Sequence, residues 1–250
     1  MTDHWVRRRV DTPETQPKLS DQLHSLLPPL KPSLAQYKEG LLGLAYADLV
    51  RFNERGDLAP RALQLLSQAA RRHPNWPELW SSLGELSAML GDRFAALGAY
   101  ARHAELAPYD EFYRLREASI LNVVGQSDQA EAILMRLIER RPSNYLALEH
   151  LGNLRLQRGR YDEAEQLYLQ ADQYGSHAHS IPHNQGFLAM LRQDLKAARS
   201  FFEEGNRRDG VSREGPFYLG LIDAAEGHHA RAVLRFKESL RRDDRFIQGY

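Results

Sequence analysis

The chain has 250 residues, 33 basic and 33 acidic side chains, 42% hydrophobic residues and no cysteine. A net charge near zero offers no broad positive field to nucleic acid, and the lack of cysteine excludes disulfides and thiolate metal sites. No apolar run approaches the roughly 18 residues needed to cross a bilayer, and polar Met1 to Lys18, with Arg7, Arg8 and Arg9, do not read as a secretory signal. A cytoplasmic location is the expectation.

In chain order, residues 1–18 are expected to form a disordered tail, whose segment Trp5 to Arg9 carries one aromatic and three cations. Residues 19–42 are expected to form a helical N-terminal cap. Ser20 can cap a short helix that Pro28-Pro29 ends, and a longer helix from near Ser33 runs through Tyr37, Leu41, Leu42, Ala45 and Leu49. Such a cap hides the open face of the first unit or docks a second copy or a partner.

From residue 43 the chain repeats. Alanine recurs at positions 62, 96, 130, 164, 198 and 232, a constant spacing of 34 residues. This divides the chain into blocks 43–76, 77–110, 111–144, 145–178, 179–212 and 213–246, with 247–250 as a tail. The eighth position of the blocks reads Val50, Gly84, Ala118, Gly152, Gly186 and Gly220; the twenty-fourth reads Leu66, Tyr100, Leu134, Tyr168, Phe202 and Phe236. Gly91, Gly125, Gly159 and Gly227 share position 15, and Pro74, Pro108 and Pro142 share position 32. Glycine ends one helix in the left-handed conformation and proline cannot continue another. Each block therefore predicts two helices joined by a short turn, with the small eighth residue facing the alanine at position 20 and the large residue at position 24 beside it.

These blocks resemble tetratricopeptide repeats, whose pattern is carried by Trp80, Leu83-Gly84, Ala96, Tyr100 and Pro108 in one block and by Leu151-Gly152, Tyr161, Ala164, Tyr168 and Ala171 in another. The resemblance implies an all-α, right-handed α-α superhelix, a solenoid of six tetratricopeptide-like helix-turn-helix repeats. Departures are concentrated late in the chain. Gln193 stands where the turn glycine belongs, Gly205 lies inside a second helix, and Pro182 and Pro216 predict first helices that begin late. Position 32 has no proline after the fourth block, which predicts a looser joint there. Beyond the sixth block the sequence leaves Leu234 and Leu240 with only Arg245 to Tyr250 to cover them, an end expected to self-associate or meet a partner.

The resemblance also places function on the concave face. Its members that grip a C-terminal carboxylate use lysines, an arginine and two asparagines; Asn153 and Asn184 match the asparagines, but Glu149, Glu214 and Tyr218 occupy the cationic positions, so that ligand is not expected. The expected partner-binding wall comprises Phe112, Arg116, Asn122, Glu149, His150, Asn153 and Gln157 from the third and fourth blocks. From the fifth and sixth it takes His183, Asn184, Phe187, Leu191, Phe217 and Tyr218. Amide side chains both donate to and accept from a peptide backbone, and exposed aromatic rings anchor it by packing.

Catalytic motifs are missing: there is no phosphate-cradling Gly-Lys-Ser/Thr loop, no His-Glu-x-x-His and no Gly-x-Ser-x-Gly. His177, His179 and His183, with His150, have a metal-like composition but fall at an irregular joint and read as polar loop residues. No cofactor is expected. Paired arginines recur near second-helix ends at 71–72, 140–141, 207–208 and 241–242, where the helix dipole favours cations. The expected function is a noncatalytic scaffold, adaptor or assembly factor that binds an extended or helical segment of a protein partner in its groove. The alternative is the repeat domain or regulatory subunit of an enzyme whose catalytic part lies in another chain or a further C-terminal region.

Overall fold

A computed structural model describes residues 37–52, 55–210 and 212–249, with side chains of the last helix as far as Arg242. The expected tail over 1–18, the short helix after Ser20, the start near Ser33 and Tyr250 lie outside these residues. Among the described residues all regular structure is helical, in two compact units. The first unit holds α1 (Lys38–Phe52), a 3-10 turn at Gly56–Leu58, α2 (Ala59–Arg72), α3 (Pro77–Met89) and α4 (Arg93–Leu106). The second holds α5 (Glu111–Val123), α6 (Ser127–Arg140), α7 (Tyr145–Gln157), α8 (Tyr161–Tyr174), α9 (Ser180–Leu191), α10 (Leu195–Arg208), α11 (Glu214–Ala225) and α12 (His229–Gly249).

Each unit is a series of helix pairs, and a second helix such as α7's partner α8 also packs on the first helix of the next pair, α9. The turn inside a pair is set by its fifteenth residue. Gly91, Gly125, Gly159 and Gly227 have φ of 71–83°, the left-handed region where a Cβ is crowded. Gln193 takes the same conformation at φ 63° without being glycine. Asp92 and Asp194 then cap the following helices by accepting from Ala95 N and Ala197 N, which satisfies donors that helix geometry leaves open.

The close approach within a pair is set by the ring at position 24. The eighth-position glycine has that ring as its nearest neighbour across the pair. A Cβ on Gly84, Gly152, Gly186 or Gly220 would lie 2.4, 2.6, 2.9 and 2.7 Å from the rings of Tyr100, Tyr168, Phe202 and Phe236. Tyr100, Tyr168 and Phe202 are fully buried this way, each a large apolar contribution that truncation to alanine would forfeit at about 3–5 kcal/mol.

The first block departs from the 34-residue register. There Gly43, not Val50, takes the close approach, with its added Cβ 3.0 Å from Leu66. Leu42-Gly43 therefore corresponds to Leu83-Gly84, and Tyr46, buried at 3%, follows in the same helix. The extra residues are absorbed by the length of α1 and by the 3-10 turn before α2. The expected continuation of the cap helix into the first pair is seen from Lys38 onward.

In the second unit, α9 and α11 begin at Ser180 and Glu214, each one residue into its block, as their prolines require. The joint after α8, expected to be looser, has a turn closed like the one before it. Its turn is closed by Ala178 N donating to Gly175 O at 2.8 Å, as Asn144 N donates to Arg141 O in the preceding joint. Arg208 then spans the joint, donating to both carboxylate oxygens of Asp172 and to Ala178 O. Arg242 repeats the arrangement one block later with Asn206 and Ser212 O. Gly205 has a steric reason: a Cβ there would lie 2.3 Å from the ring of His183.

Candidate functional site

The exposed faces of α5, α7, α9 and α11 carry the expected wall residues other than Glu149 and His183, because a first helix uses one side to meet its own partner helix and leaves another to solvent. A cleft of about 400 Å³ opens on this face. Six of the expected residues line it: Asn122, His150, Asn153, Gln157, Asn184 and Phe187. Ser119 and Val123 line it as well and are missing from the sequence list. Their signal was available, since Ser119 shares its block position with Asn153 and Phe187, and Val123 shares that of Gln157.

The amides are held in place. Tyr168 Oη donates to Asn153 Oδ1 at 2.7 Å, so the core ring packed on Gly152 also fixes a groove side chain. Asn184 Nδ2 donates to Glu149 Oε1, and Asn122 Nδ2 donates to Gln157 Oε1, both at 3.0 Å. Among the described residues these bonds leave Asn153 Nδ2 as a donor and Asn184 Oδ1 as an acceptor for a ligand. Burial, with the nearby Arg116 charge, holds the His150 imidazole below its usual range and hence neutral.

Glu149 and His183 are placed elsewhere than expected. Both occupy the fifth position of their blocks, which turns toward the neighbouring helices, and they are 7% and 8% exposed. Burial raises the Glu149 carboxyl above its ordinary range, and Ser180 and Asn184 donate to it. His183 lies against Phe202 and Gly205, and its Nε2 is buried without a hydrogen-bond partner. Burial and the neighbouring His179 lower its pKa.

The remaining wall residues flank the cleft. At the α5 end, the Arg116 guanidinium lies 5.1 Å over the Phe112 ring. At the α11 end, Tyr218 stacks on Phe202 at 4.8 Å and stands 6.2 Å from Phe187, while Phe217 and Leu191 are each 44% exposed.

The histidines at the α8–α9 joint have separate environments: His177 meets the edge of Tyr145, and His179 lies 3.5 Å from Asp209. Asp223, Glu226 and His228 have the composition of a cation site, but Arg199 already pairs with both carboxylates. The paired arginines are likewise engaged: Arg72 with Glu39, Arg141 with Glu111, and Arg207 with Glu204. No described helix is long and apolar enough to cross a membrane.

Residues 115–178 match a tetratricopeptide repeat family model. Among curated proteins the sequence has no match. In solved structures it is similar to a tetratricopeptide repeat protein from Parabacteroides merdae, with TM-score 0.71 and 17% identity over 91% of this chain and 90% of that one. PilW, a type IV pilus biogenesis factor, is similar with TM-score 0.64 and 17% identity over 80% and 92% of the two chains. YrrB, described as a tetratricopeptide repeat protein with an unusual peptide-binding site, is similar with TM-score 0.54 and 14% identity over 73% and 93%. Glycine-on-ring helix pairs, the matched segment and these neighbours together give this chain the fold of the tetratricopeptide repeat proteins.

Proposed function

We propose that the chain is a noncatalytic protein-binding scaffold that holds a segment of a partner against α5, α7, α9 and α11. The observation that carries this reading is the prepositioned amide pair. Asn153 presents a donor and Asn184 an acceptor from adjacent first helices, each anchored by a bond at its other end. A peptide backbone offers the complementary acceptor and donor, and anchoring reduces the side-chain entropy lost on binding. Phe187, at the edge of the same cleft and 38% exposed, supplies apolar surface for a partner side chain.

The test is affinity capture from the native host's lysate with the whole chain and with an Asn153→Ala, Asn184→Ala, Phe187→Ala variant of unchanged circular dichroism. A partner lost only by the variant is the expected result. Retention of every partner by the variant would move the binding surface away from this groove.

A further inference from the structure

The groove face is graded along the second unit. The sixth residue of successive blocks is Arg116, His150, Asn184 and Tyr218, which runs from a cation through an imidazole and an amide to a phenol ring. The apolar end is reinforced by exposed Phe187 and Phe217.

Arg116 differs from the better-paired arginines of this unit. Arg158 and Arg192 each engage two carboxylates of the preceding second helix, and Arg208 engages Asp172 of the neighbouring helix and Glu204 of its own. Arg116 is exposed, is backed by the Phe112 ring and has no carboxylate partner among the described residues. The carboxylate that the sequence places on the same wall, Glu149, is buried and turned to Asn184, so it does not neutralise the groove. A guanidinium stacked on a ring keeps its donor edge open for an incoming carboxylate.

We infer that the partner segment is acidic at one end and apolar at the other: an Asp or Glu side chain meets Arg116, and an aliphatic or aromatic side chain seats against Phe187 and Phe217. The stretch between them passes Asn153 and Asn184. The gradient thus fixes the direction in which the segment lies. This inference rests on the groove reading above and adds the chemistry of the ligand and its orientation.

The probe is a phage-displayed library of random peptides fused at their C-termini, so that binding cannot depend on a terminal carboxylate. It is selected against the whole chain, against Arg116→Glu and against the triple alanine variant. Wild-type selections are expected to fix an acidic and an apolar position at constant spacing. Arg116→Glu should favour Lys or Arg at the acidic position and weaken the wild-type peptides by about three- to tenfold, the range for reversing one exposed charge pair. Wild-type peptides without an acidic position, or equal affinity for Arg116→Glu, would overturn the acidic end while the groove reading survives in the triple variant's loss of binding. Peptides bound equally by the triple variant, or no enrichment at all, would overturn both.

Discussion

Tyr168 joins the core to the groove: its ring packs against Gly152, and its hydroxyl donates to Asn153 Oδ1 at 2.7 Å. One residue thus holds a helix pair together and orients a cleft-lining amide. Burial raises the phenol's pKa, so it remains a donor throughout the neutral range. Tyr168→Phe keeps the packing and removes the bond, at a cost of about 1 kcal/mol in stability. The freed Asn153 side chain should also lower affinity for a groove-bound peptide by up to about tenfold. Unfolding curves and titration on the same variant check this; a stability loss with unchanged affinity would separate Asn153 from binding.

The second helices and their ring positions were legible because alanine and glycine punctuate the sequence at constant spacing. The first block was misread for a physical reason. Val50 sits at the expected spacing and is buried at 7%, so spacing alone could not distinguish it from the residue at the crossing. Leu42, Gly43 and Tyr46 did carry the signal, displaced by the longer connection. Gly43→Val should therefore overpack against Leu66 and cost about 1–3 kcal/mol, measurable as a lowered denaturant midpoint. Wild-type stability in that variant would return the crossing to Val50.

The fifth-position residues were misplaced for a different reason. A helix of a repeat stack has two buried flanks, and sequence periodicity does not say which flank meets the next pair. Glu149 and His183 both turned inward, and only the contacts with Asn184 and Gly205 reveal it.

Gln193 holds a left-handed turn that glycine fills in four other pairs. Its Cβ is crowded there, while its backbone still makes the turn bonds, Gln193 N to Met190 O and Asp194 N to Ala189 O. Gln193→Gly relieves the crowding but loosens the unfolded chain, and the first effect is larger at φ 63°. A gain of about 0.5–1 kcal/mol is expected. Thermal unfolding with an unchanged or lower midpoint would show that the turn is not strained.

Arg208 closes a joint whose turn position lacks a proline, Ser176 standing where Pro74, Pro108 and Pro142 stand earlier. Its side chain is 14% exposed and bonds Asp172 and Ala178 O. Arg208→Ala should cost about 1.5–3 kcal/mol, the range for hydrogen bonds to a charged group, and speed amide exchange around Ala178. Ser176→Pro should restore about 0.4–1 kcal/mol by restricting the unfolded chain. If exchange around Ala178 is unaffected by Arg208→Ala, the arginine does not clip the joint.

His183 makes stability depend on pH. Its folded pKa lies below the unfolded value of 6.5 because of burial and His179, with Glu214 and Asp209 acting in the opposite sense. Well above 6.5 both states are neutral and the residue contributes no slope. As pH falls below that value the unfolded chain takes up a proton that the folded chain refuses, so stability is lost; His150 acts in the same direction. Glu149 works the other way at lower pH, since its raised folded pKa favours the folded state as pH falls toward 4.5. The urea-unfolding free energy should therefore decline between about pH 7 and 5.5, and His183→Gln should flatten that decline. An identical slope in His183→Gln would mean that the imidazole gains its proton as readily in the fold as in the unfolded chain, with Asp209 or Glu214 outweighing burial.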